Sequence, residues 1–78
     1  MRTEMTSAQA KERVERHLVS KDYIRHEGQK HTYLVHPDGS ARYMLTSRTV
    51  KRQKRFEWGW VNVSRAASLI DVARRLGE

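Results

Sequence analysis

The sequence predicts an α+β fold: one small domain in which a helix, three or four antiparallel strands and a second helix follow one another. Three observations carry this. Apolar residues recur at spacings of three and four near both ends of the chain, and at a spacing of two in its middle, around the turn His36-Pro37-Asp38-Gly39. Seventy-eight residues leave room for a single domain, 1–78. Three Tyr, two Trp and one Phe are enough anchors for a small core, although the chain is 32% charged.

Each element has a local reason. Residues 1–5 read as a loose N-terminal tail. Thr6-Ser7-Ala8-Gln9 has the form of a capping box and opens a helix over about residues 7 to 20. Ala10, Val14, His17 and Leu18 form its thin apolar stripe, and Glu12 faces Arg16 at i,i+4. Two strands follow, Tyr23 to Glu27 and Lys30 to His36, with Gly28 expected to take positive φ in the turn between them. In the second strand His31, Tyr33 and Val35 share one face, and Thr32, Leu34 and His36 the other. Pro37 presets φ and Asp38-Gly39 tolerates left-handed geometry, so a hairpin leads into a strand from Ala41 to Thr46. Residues 47–55 read as a basic loop or the exposed end of a strand. Phe56, Trp58 and Trp60 alternate, so a strand here places three rings on one face. Ser64 is the expected N-cap of a last helix with Ala66, Leu69, Ile70, Ala73 and Leu76 as its stripe and Gly77 as its C-cap.

Charge points to a partner. The formal net charge is +7, and it is concentrated. Residues 1–27 carry six basic and five acidic side chains, and residues 57–78 three of each. Residues 28–56 carry seven basic and one acidic: Lys30, Arg42, Arg48, Lys51, Arg52, Lys54 and Arg55 against Asp38. Such a focused patch is the footprint of a polyanion-binding surface. Arg48, Lys51, Arg52, Lys54 and Arg55 are the expected phosphate contacts, with Lys30 and Arg42 as additions from the hairpin. The neighbouring rings of Phe56, Trp58 and Trp60 either form the core under the helices or offer stacking platforms to unpaired bases.

Other chemistries find little support. Without cysteine there is no disulfide framework, cysteine zinc site or thiol nucleophile. The histidines lack metal-ligand spacing, and no glycine-rich phosphate loop or Ser/His/Asp set is present, so neither metal nor cofactor is expected. No apolar run approaches the roughly 20 residues of a membrane span, and no signal-peptide pattern opens the chain, so an intracellular, cytoplasmic protein is expected.

The segment Gln29-Lys30-His31-Thr32-Tyr33-Leu34-Val35-His36-Pro37-Asp38-Gly39 resembles the HicA-type toxins, small basic ribonucleases with the double-stranded-RNA-binding fold. Registered on the turn, His31 falls on that family's catalytic histidine, while Gln29 and Lys30 stand at its Gly-Ser positions and Ser64-Arg65-Ala66-Ala67 at its Gly-Thr-Leu helix start. The resemblance implies a histidine that exchanges a proton with a ribose 2′-hydroxyl or the leaving oxygen.

Together these features predict a small nucleic-acid-binding protein, RNA somewhat ahead of DNA. The alternatives are a HicA-like ribonuclease toxin using His31, and a small protein-binding inhibitor or adaptor of the phage or mobile-element type. A non-enzyme is favoured, and a homodimer is compatible with the thin first helix and an open edge strand.

Overall fold

The computed structural model describes residues 4–76 and has the expected α+β class, with a helix before and after an antiparallel sheet. Helix α1 runs Ser7–Ser20, followed by strands β1 (Ile24–Glu27), β2 (Thr32–Val35), β3 (Ala41–Leu45), β4 (Thr49–Phe56), β5 (Gly59–Asn62) and β6 (Ala67–Ser68), and helix α2 (Leu69–Leu76). The first five strands form a meander in the order β1-β2-β3-β4-β5, and β6 pairs with the start of β4. The sheet therefore has more strands than the three or four expected.

One extra strand, β4, comes from the basic segment, and another, β6, lies in the span expected for the last helix. Of the segment 47–55, expected as a basic loop or an exposed strand end, residues 49–55 join Phe56 in the longest strand of the sheet. Lys and Arg alternate on both of its sides, so no period-two apolar pattern marks it. The ladder supplies what the pattern does not. β4 pairs with β3 along one side and with β5 and β6 along the other.

Local chemistry accounts for the boundaries. The Thr6 hydroxyl accepts from the Gln9 N–H, and the Gln9 carbonyl returns to the Thr6 N–H, closing the capping box. At the other end Tyr23 N–H donates to Leu18 C=O and Asp22 N–H to Val19 C=O, the Schellman arrangement, with Asp22 at φ 71° where glycine is usual. In the 36–39 turn Gly39 takes φ 77° and its N–H donates to His36 C=O, as expected. Gly28 does not take positive φ. Its glycine is required by space, because a Cβ there would lie 2.7 Å from His31 O and 2.8 Å from the Tyr33 ring.

Three further expectations are corrected. Met5, assigned to a loose tail, packs against the core, while residues 1–3 lie outside the described part. Ser64 does not cap a helix: its hydroxyl accepts the Arg52 N–H at 2.9 Å in the gap between β5 and β6. The last helix begins five residues later, with Ser68 Oγ accepting from Asp71 N–H, and Gly77 falls outside the described residues.

The core lies between one face of the sheet and the two helices. Leu34, Leu45 and Val50 from β2, β3 and β4 meet Ala10 and Val14 of α1 and Leu69 and Ala73 of α2. Among the described residues β5 contributes nothing to this cluster. The molecule is accordingly elongated, 50 × 23 × 22 Å, with a packed end under the helices and a β4–β5 hairpin at its other end held chiefly by its ladder.

Candidate nucleic-acid interface

Strand register sorts the cations by face. Cα partners point their side chains the same way, so Val50, Arg52, Lys54 and Phe56 share the helix side with Leu34 and Leu45. Lys51, Gln53 and Arg55 share the opposite, helix-free side with Tyr33, Val35, Arg42, Met44, Trp60 and Asn62. The five residues Arg48 to Arg55, expected to act together, are therefore divided. Lys51 and Arg55 join Arg42 on the open face. Arg52 and Lys54 point to the helix side, where Arg52 and Arg65 border a cleft of about 360 Å³ lined by Val14, Leu18, Tyr43, Val72 and Leu76. Arg48 is in the β3–β4 turn and Lys30 in the β1–β2 turn, at the end of the sheet remote from the β4–β5 tip.

Arg42 is the centre of the open face. Its guanidinium carbon lies 4.0 Å from the centroid of the Tyr33 ring and 4.2 Å from that of Trp60. Its Nε donates to Gln53 Oε1 at 2.7 Å, and Gln53 Nε2 donates in turn to Asn62 Oδ1 at 2.8 Å. Gln53 is only 8% exposed although no helix covers this side, because its neighbours close over it. The cluster orients a cation in advance of any ligand. Cation–π contacts of this kind contribute about 0.5–2 kcal/mol each.

That cation has no acidic partner among the described residues. Among the described residues the ion pairs join Arg16 to Glu12, Arg25 to Glu15 and Glu27, and His36 to Asp38; none involves Lys30, Arg42, Arg48, Lys51, Arg52, Lys54 or Arg55. Glu27 is the one carboxylate in the described strands, and its register with Thr32 and Leu45 places it on the helix side. Burial holds the Arg42 guanidinium below its ordinary pKa, with the Tyr33 hydroxyl acting weakly in the other direction. An arginine so far above neutrality stays charged. The site is thus a partly desolvated positive charge with unused N–H donors on a face without carboxylates.

The three aromatic residues do not share a face. A two-residue turn at Glu57-Trp58 separates β4 from β5, so Phe56 points to the helix side and Trp60 to the open side. Glu57 and Trp58 keep negative φ, and Gly59 takes the left-handed excursion at φ 127°. None of the three rings is in the buried core. Trp60 packs on Arg42, while Phe56 and Trp58 stack on each other at the hairpin tip, centroids 5.2 Å apart and planes 9° from parallel.

His31 immediately precedes β2 and packs edge-on to Tyr33 at 6.5 Å. Its Nδ1 is buried without a hydrogen-bond partner, and among the described residues no carboxylate or second histidine is bonded to it. No group of three or more His, Cys, Asp or Glu among the described residues is arranged to hold a metal ion. No helix of the described residues is long and apolar enough to cross a membrane.

Sequence reasoning singled out Arg42 but missed Tyr33, Gln53 and Asn62 as its partners. One signal was available. The 36–39 turn pairs Val35 with Arg42, which makes Tyr33 a diagonal neighbour of Arg42 on the same face. The contribution of β4 and β5 required their pairing. Comparison with known proteins adds nothing to these observations: no family model, curated protein or solved structure matches this chain.

Proposed function

We propose that this protein binds nucleic acid, RNA ahead of DNA, through the helix-free face of its sheet. The observation that carries the reading is Arg42, held by Tyr33, Trp60 and Gln53 without an acidic partner among the described residues and flanked by Lys51 and Arg55. Phosphates meet the cations, and the exposed amide of Asn62 offers donors and acceptors to sugar and base edges. A 2′-hydroxyl both donates and accepts, which such neutral groups exploit and deoxyribose lacks. An intracellular setting accords with such a ligand.

The test is fluorescence anisotropy with labelled single-stranded RNA, duplex RNA and duplex DNA across a salt series. Engagement of the three open-face cations gives a slope of log affinity on log salt of about −2 to −3, whereas all seven cations of residues 30–55 would give about −5 to −6. Absence of binding to all three probes at low salt overturns the proposal.

A further inference from the structure

We infer that the β4–β5 hairpin tip is a base-stacking element that makes the protein prefer unpaired nucleotides to duplex. The inference rests on the nucleic-acid reading above and adds a ligand class to it. Trp58 is the most exposed large apolar residue described, at 78%, and Phe56 beside it is 41% exposed. A lone exposed ring requires no explanation, but this pair is ordered: Phe56 backs one face of the indole in a near-parallel stack. The other face of Trp58 is left as a flat, solvent-facing platform. A base that adds to this stack meets an indole whose rotamer is already held, so little freedom is lost on binding.

The neighbourhood favours a nucleotide over another apolar partner. Lys54 and Arg55 immediately precede the pair and have no acidic partner among the described residues. Arg55 pairs in register with Trp60, the ring that packs on Arg42. A strand whose phosphates follow Arg42 and Arg55 along the open face reaches the hairpin tip, and a base that rounds the tip meets Trp58, stacked on Phe56 with Lys54 on the helix side. Bases inside a duplex already stack on one another and present only edges, so the platform rewards unpaired bases alone. An anionic membrane surface is the rival occupant, but rings that anchor in lipid gain most when each is separately immersed, and here one ring covers a face of the other.

The experiment compares a single-stranded RNA carrying 2-aminopurine with a blunt RNA duplex of equal length, using wild type, Trp58→Ala and Trp58→Phe. Wild type is expected to bind the single strand more tightly and to quench 2-aminopurine. Trp58→Ala should weaken single-strand binding by about 5- to 150-fold, leave duplex affinity unchanged and abolish the quenching. Trp58→Phe should restore most of the preference. Circular dichroism checks that each variant is folded. Equal affinities of wild type for the two RNAs, or equal effects of Trp58→Ala on both, would overturn the inference while leaving the open-face reading intact. Binding to neither RNA overturns the inference, and absence of binding to duplex DNA as well overturns the open-face reading with it. Tighter binding to phosphatidylserine vesicles than to RNA, with a blue shift lost in Trp58→Ala, would assign the tip to membranes and overturn the inference.

Discussion

The open-face reading makes a prediction about a residue that touches no ligand. Gln53 Oε1 accepts from Arg42 Nε at 2.7 Å, so Gln53→Glu places a carboxylate against the one guanidinium that the face holds ready. At about 4 Å and an effective dielectric of about 20, the two charges attract by about 4 kcal/mol. Desolvating a carboxylate at a position 8% exposed, and losing the amide N–H that donates to Asn62 Oδ1, cancel much of this, leaving stability within about 1 kcal/mol of wild type. Binding responds differently. A charge-assisted contact is worth about 1.5–3 kcal/mol, so neutralising Arg42 weakens nucleic-acid affinity about 10- to 150-fold. The salt slope should become shallower by about 0.7–0.9, the value of one phosphate contact. Thermal denaturation and the anisotropy salt series measure the two effects separately. Gln53→Leu is the control, removing the amide without adding charge, and should bind more tightly than Gln53→Glu. Wild-type affinity and slope in a folded Gln53→Glu protein would refute the assignment of this face.

Four other outcomes follow from the geometry. Gly28→Ala should lower the thermal midpoint more than Gly59→Ala, since only Gly28 has backbone and ring atoms inside Cβ contact distance; Gly59→Ala carries a purely conformational cost of about 1–3 kcal/mol at φ 127°. Thr32→Val should be neutral or stabilising, because the Thr32 hydroxyl is buried in the core without a partner, and an unfolding curve shifted down by several degrees would contradict this. Hydrogen bonds from the Ser40 hydroxyl and N–H, and more weakly from His36, hold the Asp38 carboxyl below the usual range. Its contribution is therefore present above the unfolded carboxylate pKa of about 3.9 and lost as pH falls through the lower folded value, so Asp38→Asn should reduce the acid-side loss of thermal stability. RNA incubated with the protein should be recovered intact on a denaturing gel; cleavage lost in a folded His31→Ala protein would instead establish a histidine-dependent ribonuclease.

What the sequence made legible was whatever local chemistry determines alone. The Thr6–Gln9 capping box and the His36–Gly39 turn each act within four residues, and both are found in the structure. The division of β2 into a core side and an outer side was equally readable, because Thr32 and Leu34 are buried while Tyr33 and Val35 are only partly covered. β4 was not readable as an inner strand, since its membership depends on β3, β5 and β6 flanking it rather than on its own residues. The common face expected for Phe56, Trp58 and Trp60 was lost to the turn at Glu57-Trp58, because one reversal of the chain cancels any alternation counted across it. The seven cations were found by composition, yet their division between two faces follows from register, which composition does not contain.

This division links stability to function at the far end of the sheet. The helices cover the half that holds Leu34, Leu45 and Val50, and the β4–β5 hairpin gains no buried apolar residue from β5. Its register must then be supported by the ladder and by the cluster on the open face, where Gln53 joins Arg42 of β3 to Asn62 of β5 and Arg42 reaches Trp60. The same side chains that offer charge to a ligand thus hold the hairpin in place. Truncating Arg42 would weaken fold and binding together and could not separate them. An acid at position 53 keeps Arg42, its rings and the hydrogen bond from Arg42 Nε, loses the N–H that donates to Asn62 Oδ1, and removes the unpaired charge. A loss of binding there, with stability maintained, would show that the absence of carboxylates from this face serves the ligand, because a salt bridge at the same place would have served the fold equally well.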